Sequence, residues 1–107
     1  MRYRFSSFLA DTDRFELFRD GAAVALQPQA YRLLVYLLEN RDRVIGKDEL
    51  MEHVWEGRIV SDAALTTRIN AARRAVGDSG KDQNVIRTAS RHGYRFVADV
   101  EPEGAVE

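Results

Sequence analysis

The sequence predicts an α+β domain in which a small antiparallel sheet is followed by three helices and a terminal β-hairpin. Three observations carry this. Residues 1–26 run in short aromatic and apolar stretches broken by an Asp-Gly pair. From Pro28 to Val76 the apolar residues recur at helical spacing. Residues 85–97, VIRTASRHGYRFV, then read as two short strands joined by a polar tip. The 107 residues suit one compact domain, and a hydrophobic share of 45% suits a globular core.

Residues 3–9, YRFSSFL, and 14–18, RFELF, are rich in aromatics and alternate, so each is expected to be a strand. Asp20-Gly21 before Ala22–Leu26 signals a hairpin, because a type I′ turn needs positive φ at both central residues. Pro28 fits the first turn of a helix, where its missing N–H costs nothing. Tyr31, Leu34, Leu37 and Leu38 mark the buried stripe of that helix, which runs to about Asn40 before the polar turn Arg41, Asp42, Arg43. A second helix spans about Lys47 to Trp55, with Leu50, Met51, Val54 and Trp55 inward, and Gly57 ends it. Ser61 is an apt N-cap for a third helix that runs to about Val76, with Asp62 at the positive end of its dipole and Gly77 at its C-terminal cap. DSGKDQ, residues 78–83, is a loop. The predicted domain covers residues 1–98, and residues 99–107 read as an acidic tail or the start of a linker.

Composition excludes several classes. There is no cysteine, so no disulfide framework and no thiolate metal site is available. His53 and His92 alone do not make a metal site, and no cofactor is expected. Walker, GxGxxG, HExxH and nucleophile-elbow motifs are missing, and His53 reads as a half-exposed helix residue rather than a general base. An enzyme is therefore not expected, nor a small-molecule substrate in this domain. The longest apolar run, Leu33–Leu38, is far short of a membrane span, and MRYRFSSF is unlike a signal peptide, so a cytoplasmic domain is the default.

The net charge of −1 conceals a strong asymmetry. Residues 58–95 hold eight basic and three acidic side chains, whereas residues 96–107 hold four acidic and no basic ones. Local field steers a polyanion more than the total does, so the basic segment is the candidate contact surface.

Within that segment, Leu65, Ile69, Ala72 and Val76 cluster within about 60° around the third helix. The opposite face presents Ala63, Thr67, Asn70 and Arg74, flanked by Thr66, Arg68, Ala71 and Arg73. A helix fits the DNA major groove, where Arg can pair with guanine, Asn with adenine, and Thr or Ala can meet a thymine methyl. A solvated amphipathic helix with ordinary surface arginines explains the same pattern equally well. The hairpin tips the balance. Arg91 and His92 sit at its tip beside Gly93, which permits a tight turn, and a cationic ribbon can enter a minor groove. The same charges would also blunt an edge hairpin against aggregation. Trp55 is expected to anchor the core, and Tyr94 to pack beneath the hairpin with its hydroxyl free for a phosphate.

Several stretches together resemble one family. They are Leu26-Gln27-Pro28-Gln29, Val44-Ile45-Gly46-Lys47-Asp48-Glu49-Leu50, Val54-Trp55, Val60-Ser61-Asp62, the helix from Ala64 to Asp78, Ile86-Arg87-Thr88 and Gly93-Tyr94-Arg95-Phe96. Across about residues 3–98 the chain resembles the C-terminal winged-helix effector domain of OmpR/PhoB-type transcriptional regulators. It looks closer to the CadC-like branch, in which this domain comes first in the chain. The resemblance implies a winged helix-turn-helix with an N-terminal four-stranded sheet, a three-helix bundle and a C-terminal wing. It implies sequence-specific binding of double-stranded DNA in a bacterial transcriptional regulator, with the third helix in the major groove and the wing in the minor groove. Direct repeats bound by a head-to-tail dimer are the implied operator.

Base contacts are then expected from Thr67, Asn70 and Arg74, and phosphate contacts from Arg68, Arg73, Thr88, Arg91 and Tyr94. Thr66 and Ala71 complete the helix surface, and Ser90 and His92 the wing. The loop Glu56, Gly57, Arg58, Ile59, Val60 is the implied contact with RNA polymerase or a neighbouring protomer. Asn70 and Ala71 stand where response-regulator members often carry arginines, Ser90 where a wing arginine is common, and Gly46 where many have a capping serine. The operator therefore does not transfer. Aspartyl-phosphate control is not implied, and the chain is expected to be a piece of a larger sensor. The rival reading is a winged helix that holds a protein partner and has lost specific DNA binding.

Overall fold

The computed structural model describes residues 1–103. The elements run β1 (Arg2–Phe5), β2 (Phe8–Asp11), β3 (Glu16–Arg19), β4 (Ala22–Ala23), α1 (Pro28–Glu39), α2 (Lys47–His53), α3 (Asp62–Ala75), β5 (Ile86–Ala89), β6 (Gly93–Phe96) and β7 (Glu101–Glu103). The first four strands and β7 form one antiparallel sheet in the order β4-β3-β2-β1-β7, and β5 pairs with β6 in a separate hairpin. The structure thus has the expected winged helix-turn-helix plan, with a fifth strand on the N-terminal sheet.

Local chemistry accounts for most boundaries. Asp20 and Gly21 adopt φ of 50° and 85° between the paired residues Arg19 and Ala22, the two positive values that the β3–β4 turn requires. Pro28 opens α1 behind Gln27, whose side chain accepts a hydrogen bond from the Ala30 N–H at 3.2 Å. Ser61 caps α3 by accepting from the Ala64 N–H at 3.1 Å, and Gly77 leaves the helix at φ 71°. At the start of α2, Gly46 supplies no side-chain cap.

Two sequence expectations are corrected here. YRFSSFL is not one strand: Phe5 pairs with Phe8, and Ser6 at φ 54° turns the chain between β1 and β2. The acidic segment is not a tail throughout. Glu101–Glu103 pairs with β1, setting Glu101 opposite Arg4 and Glu103 opposite Arg2. The Arg4 guanidinium also bonds the Glu103 carboxylate, which holds that carboxyl below its usual range. Pro102, which has no N–H to offer, sits on the sheet's edge strand, where it is tolerated. The remainder of the expected tail, residues 104–107, lies outside the described residues.

The core lies between the sheet and the helices. Leu33, Leu34, Leu37 and Leu38 of α1, Leu50 of α2 and Ile69 of α3 are fully buried together with Val54. Phe5 stacks on Phe8 at 5.7 Å and meets Phe96 edge-on at 5.2 Å, which ties β1, β2 and the hairpin into one cluster. Tyr31 is buried, and its hydroxyl donates to the carbonyls of Asp11 and Glu16, so α1 is bound to β2 and β3. That burial, aided by the Asp11 charge, pushes its pKa up to about 12. Trp55 is buried, as its sequence context predicts. Outside the core, Glu49 accepts from Arg43 and from the Tyr36 hydroxyl, and these bonds hold its carboxyl down at about 2. They pin the start of α2 to α1 and to the turn between them.

The hairpin is held to the helical half by a bridge between Ile45 and Tyr94. Ile45 N–H donates to the Tyr94 carbonyl at 2.8 Å, and Tyr94 N–H returns a bond to the Ile45 carbonyl at 2.9 Å. Gly93 is required by this approach as much as by its φ of 138°. A Cβ there would stand 2.0 Å from the Ile45 carbonyl oxygen.

Candidate nucleic-acid interface

Two elements frame the candidate interface. α3 buries Leu65, Ile69, Ala72 and Val76 and turns its other side outward. Ala63, Thr66, Thr67 and Arg74 are exposed there, and Arg68, Asn70 and Ala71 are half-buried. The hydroxyl of Thr67 donates back to the Ala63 carbonyl at 2.9 Å, so what it offers outward is its methyl group and lone pairs. The β5–β6 hairpin presents Ser90, Arg91 and His92 at an exposed tip, closed by the His92 N–H donating to the Ala89 carbonyl at 2.9 Å. Arg91 adopts φ 66° there.

Between α3 and the hairpin lies an open cleft of about 270 Å3. Thr66 lines it from the helix, and Thr88, Arg91, His92 and Tyr94 from the hairpin. Lys47 of α2 borders the same cleft, a residue that the sequence pattern does not single out. Its ammonium bonds the Asp62 carboxylate in the first turn of α3, so it crosslinks the two helices of the helix-turn-helix. The fold therefore brings the hairpin cluster to one wall of this cleft and, of the helix cluster, Thr66 to the other, while Ala71 and Arg74 lie outside it.

Arg73 is a correction. The sequence pattern puts it on the flank of the exposed face, as a phosphate contact. In the structure it is only 5% exposed. Its Nε donates to the Ile86 carbonyl at 3.1 Å, its Nη2 to Thr88 Oγ1 at 2.8 Å and its Nη1 to Asn70 Oδ1 at 3.4 Å. The reason is angular. Arg73 lies about 80° from Leu65 around the helix, on the border of the core face, and the hairpin covers that border. A guanidinium with donors in a fixed fork suits such a strut between helix and hairpin. Because Thr88 Oγ1 accepts from Arg73, its own proton stays free to donate outward. Arg73→Ala is expected to lower stability by about 2 kcal/mol through the lost charged hydrogen bonds, measured as a fall in thermal midpoint.

The basic segment is also less concentrated than its sequence suggests. Arg87 and Arg95 pair across the hairpin on the face opposite Ile86 and Phe96, and Arg95 donates to the Arg41 carbonyl at 3.0 Å. Arg58 lies in the loop between α2 and α3. Arg68, Arg74 and Arg91 make no ion pair among the described residues.

The loop from Glu56 to Val60 stands apart from the cleft. Glu56 and Gly57 take φ of 55° and 84°, and Arg32 of α1 pairs with Glu56 at 3.6 Å. Ile59 is 91% exposed, the most exposed of the large apolar side chains described. Sequence alone gives its position in a loop and not this exposure. His53 is exposed and stacks on Tyr36 at 5.3 Å. Among the described residues no cluster of His, Asp and Glu is arranged to hold a metal ion, and no helix is long and apolar enough to cross a membrane.

Comparison with known proteins gives a consistent picture. The family model described as transcriptional regulatory protein, C terminal, matches residues 21–96. Transcriptional activator CadC of Escherichia coli (strain K12) is 30% identical over 79% of this chain and 17% of its own length. Transcriptional regulator HilA of Salmonella typhi is 33% identical over 89% of this chain and 17% of its own. The chain thus spans 17% of the length of these curated relatives. Among solved structures, the DNA-binding domain of E. coli CadC superposes with a TM-score of 0.78 at 27% identity, covering 94% of each chain. The Klebsiella pneumoniae RstA DNA-binding domain, solved in complex with the RstA box, gives 0.78 at 22% identity over 89% of this chain and 95% of that one, a likeness of fold.

Proposed function

The chain belongs to the family of transcriptional regulatory protein C-terminal domains, and from that premise we propose how it engages DNA. It is a DNA-binding domain of a transcriptional regulator. In the reading put forward, α3 enters the major groove of double-stranded DNA, and the β5–β6 tip enters the adjacent minor groove. The observation that carries this is the shared cleft, with Thr66 on one wall and Thr88, Arg91 and Tyr94 on the other. Base edges are read by Thr67, Asn70 and Arg74, with Thr66 and Ala71 at the margins of the contact. Phosphates are met by Arg68, Thr88, Arg91 and Tyr94, with Ser90 and His92 at the tip. Arg73 acts from inside, by holding Thr88 and Asn70 in place.

The domain binds as a head-to-tail pair on direct repeats, in the cytoplasm. The loop Glu56, Gly57, Arg58, Ile59, Val60 makes a protein contact, with RNA polymerase or the neighbouring protomer. Its support is Ile59, a β-branched apolar side chain held out in solvent on a loop with two left-handed residues.

The test is a fluorescence-anisotropy titration against a random duplex at low and at physiological salt, then against a site selected from a random library. Log K is expected to fall steeply with log salt, and unresponsiveness to duplex at low salt would sink the DNA reading in favour of a protein-interaction module. On the selected site Arg74→Ala is expected to cost about 1–3 kcal/mol and to relax specificity. Equal losses on selected and random DNA would remove Arg74 from base reading.

A further inference from the structure

A second groove, of about 470 Å3, lies along α3. Ala71, Arg74 and Ala75 of the helix line it on one side, and Arg19 of β3 with Leu26 and Gln27 ahead of α1 on the other. Its position follows from helix geometry. Ala71 and Ala75 lie about 140–180° around α3 from Thr66 and Arg73, the residues on the hairpin side of the helix. A helix seated in a major groove about 12 Å wide has a phosphate backbone on each side, one from each strand. The hairpin covers one side of α3, and this groove covers the other.

We propose that the groove seats a backbone phosphate of the DNA strand opposite the one met by the hairpin, with Arg19 as the contact supplied by the sheet. The inference rests on the DNA reading above and extends its footprint to β3. Four observations support it. Arg19 and Arg74 converge on the groove, and neither pairs with a carboxylate among the described residues. The small side chains of Ala71 and Ala75 let a backbone come close. Arg19 is exposed, yet its guanidinium carbon sits 5.3 Å from the centre of the Phe8 ring, so the charge is positioned rather than free to wander. Finally, the groove is continuous with the helix face that carries Ala71 and Arg74.

A competing role for Arg19 is as a cation at the negative end of α3. Phe8 lies under that end, 3.8 Å from where a Cβ on Gly77 would stand. The two roles separate by salt dependence. Anisotropy titrations of the wild type, Arg19→Gln and Arg19→Lys are run on a random duplex across a salt series, beside thermal melts of the free proteins. The expected result is that Arg19→Gln lowers the slope of log K against log salt by about 0.9, the value for one phosphate, and that Arg19→Lys restores it. An unchanged slope in Arg19→Gln, with or without a lowered melting point, overturns the inference while leaving the DNA reading intact. Failure of the wild type itself to bind duplex overturns the reading on which the inference rests.

Discussion

Gly93→Ala is expected to destabilise the domain by about 4 kcal/mol or more, among the largest effects a single methyl group can have. Two costs combine. The residue sits at φ 138°, where an L side chain is strained, and the added Cβ would stand 2.0 Å from the Ile45 carbonyl oxygen and 2.9 Å from the Gly46 Cα. Neither neighbour can rotate away, because both are main chain. Relief would require the hairpin to part from the α1–α2 connection, breaking the paired bonds between Ile45 and Tyr94. Gly77→Ala is the fitting comparison. Gly77 also has positive φ, 71°, but its nearest contact would be the Phe8 ring at 3.8 Å. It should therefore lose only about 1–2 kcal/mol, the cost of the left-handed conformation alone. Urea unfolding midpoints of the two variants measure the difference, and similar losses would show that the Ile45 contact gives way easily.

Asp78→Asn is expected to cost about 3 kcal/mol despite matching the shape of the native side chain. Asp78 is buried at the exit of α3, where its carboxylate accepts from the backbone N–H groups of Asn84, Val85 and Ile86 at 2.8–3.0 Å. The start of β5 is thus fixed to the end of α3 by one side chain. An amide has one accepting oxygen, and its NH2 would face donors. Burial alone pushes the Asp78 carboxyl up, but the N–H groups of Ile86, Val85, Asn84 and Ser79 together outweigh it and bring the pKa below its ordinary value. A carboxyl depressed in the folded state contributes stability that is present above the unfolded value, about 3.9, and is lost as pH falls through the folded one. The gap between wild type and Asp78→Asn should therefore narrow as the pH is taken below about 4. A gap that stays constant through that range would mean that the charge on Asp78 contributes nothing.

The legible parts of the fold are those whose cause is local. Ser61 before an amphipathic run, Pro28 at a first helical turn and Asp20-Gly21 between apolar segments each impose their own geometry. Wherever the cause is tertiary, the sequence misleads. Ser6-Ser7 is a turn without Gly, Asn or Asp to announce it, and what forces it is the facing of Phe5 and Phe8 onto one core. Glu101 and Glu103 look solvated because Arg2 and Arg4, which they oppose, are nearly the whole chain away. The α3 surface was readable from its period, and Arg73 was not, since only the docked hairpin decides which side of the helix border is covered. Arg19 had no signal at all, because residues 1–27 carry four basic and four acidic side chains.

The Ile45–Tyr94 bridge, with the bonds from Arg73 to Ile86 and Thr88, makes the offset between α3 and the hairpin a property of the folded core rather than of a flexible arm. Such a domain is a rigid gauge. When a duplex does not match the gauge, the protein has little freedom to adjust, and the elastic cost of the fit falls on the DNA. Sites whose pyrimidine–purine steps yield readily should then be favoured over stiff A-tracts at positions that no side chain touches.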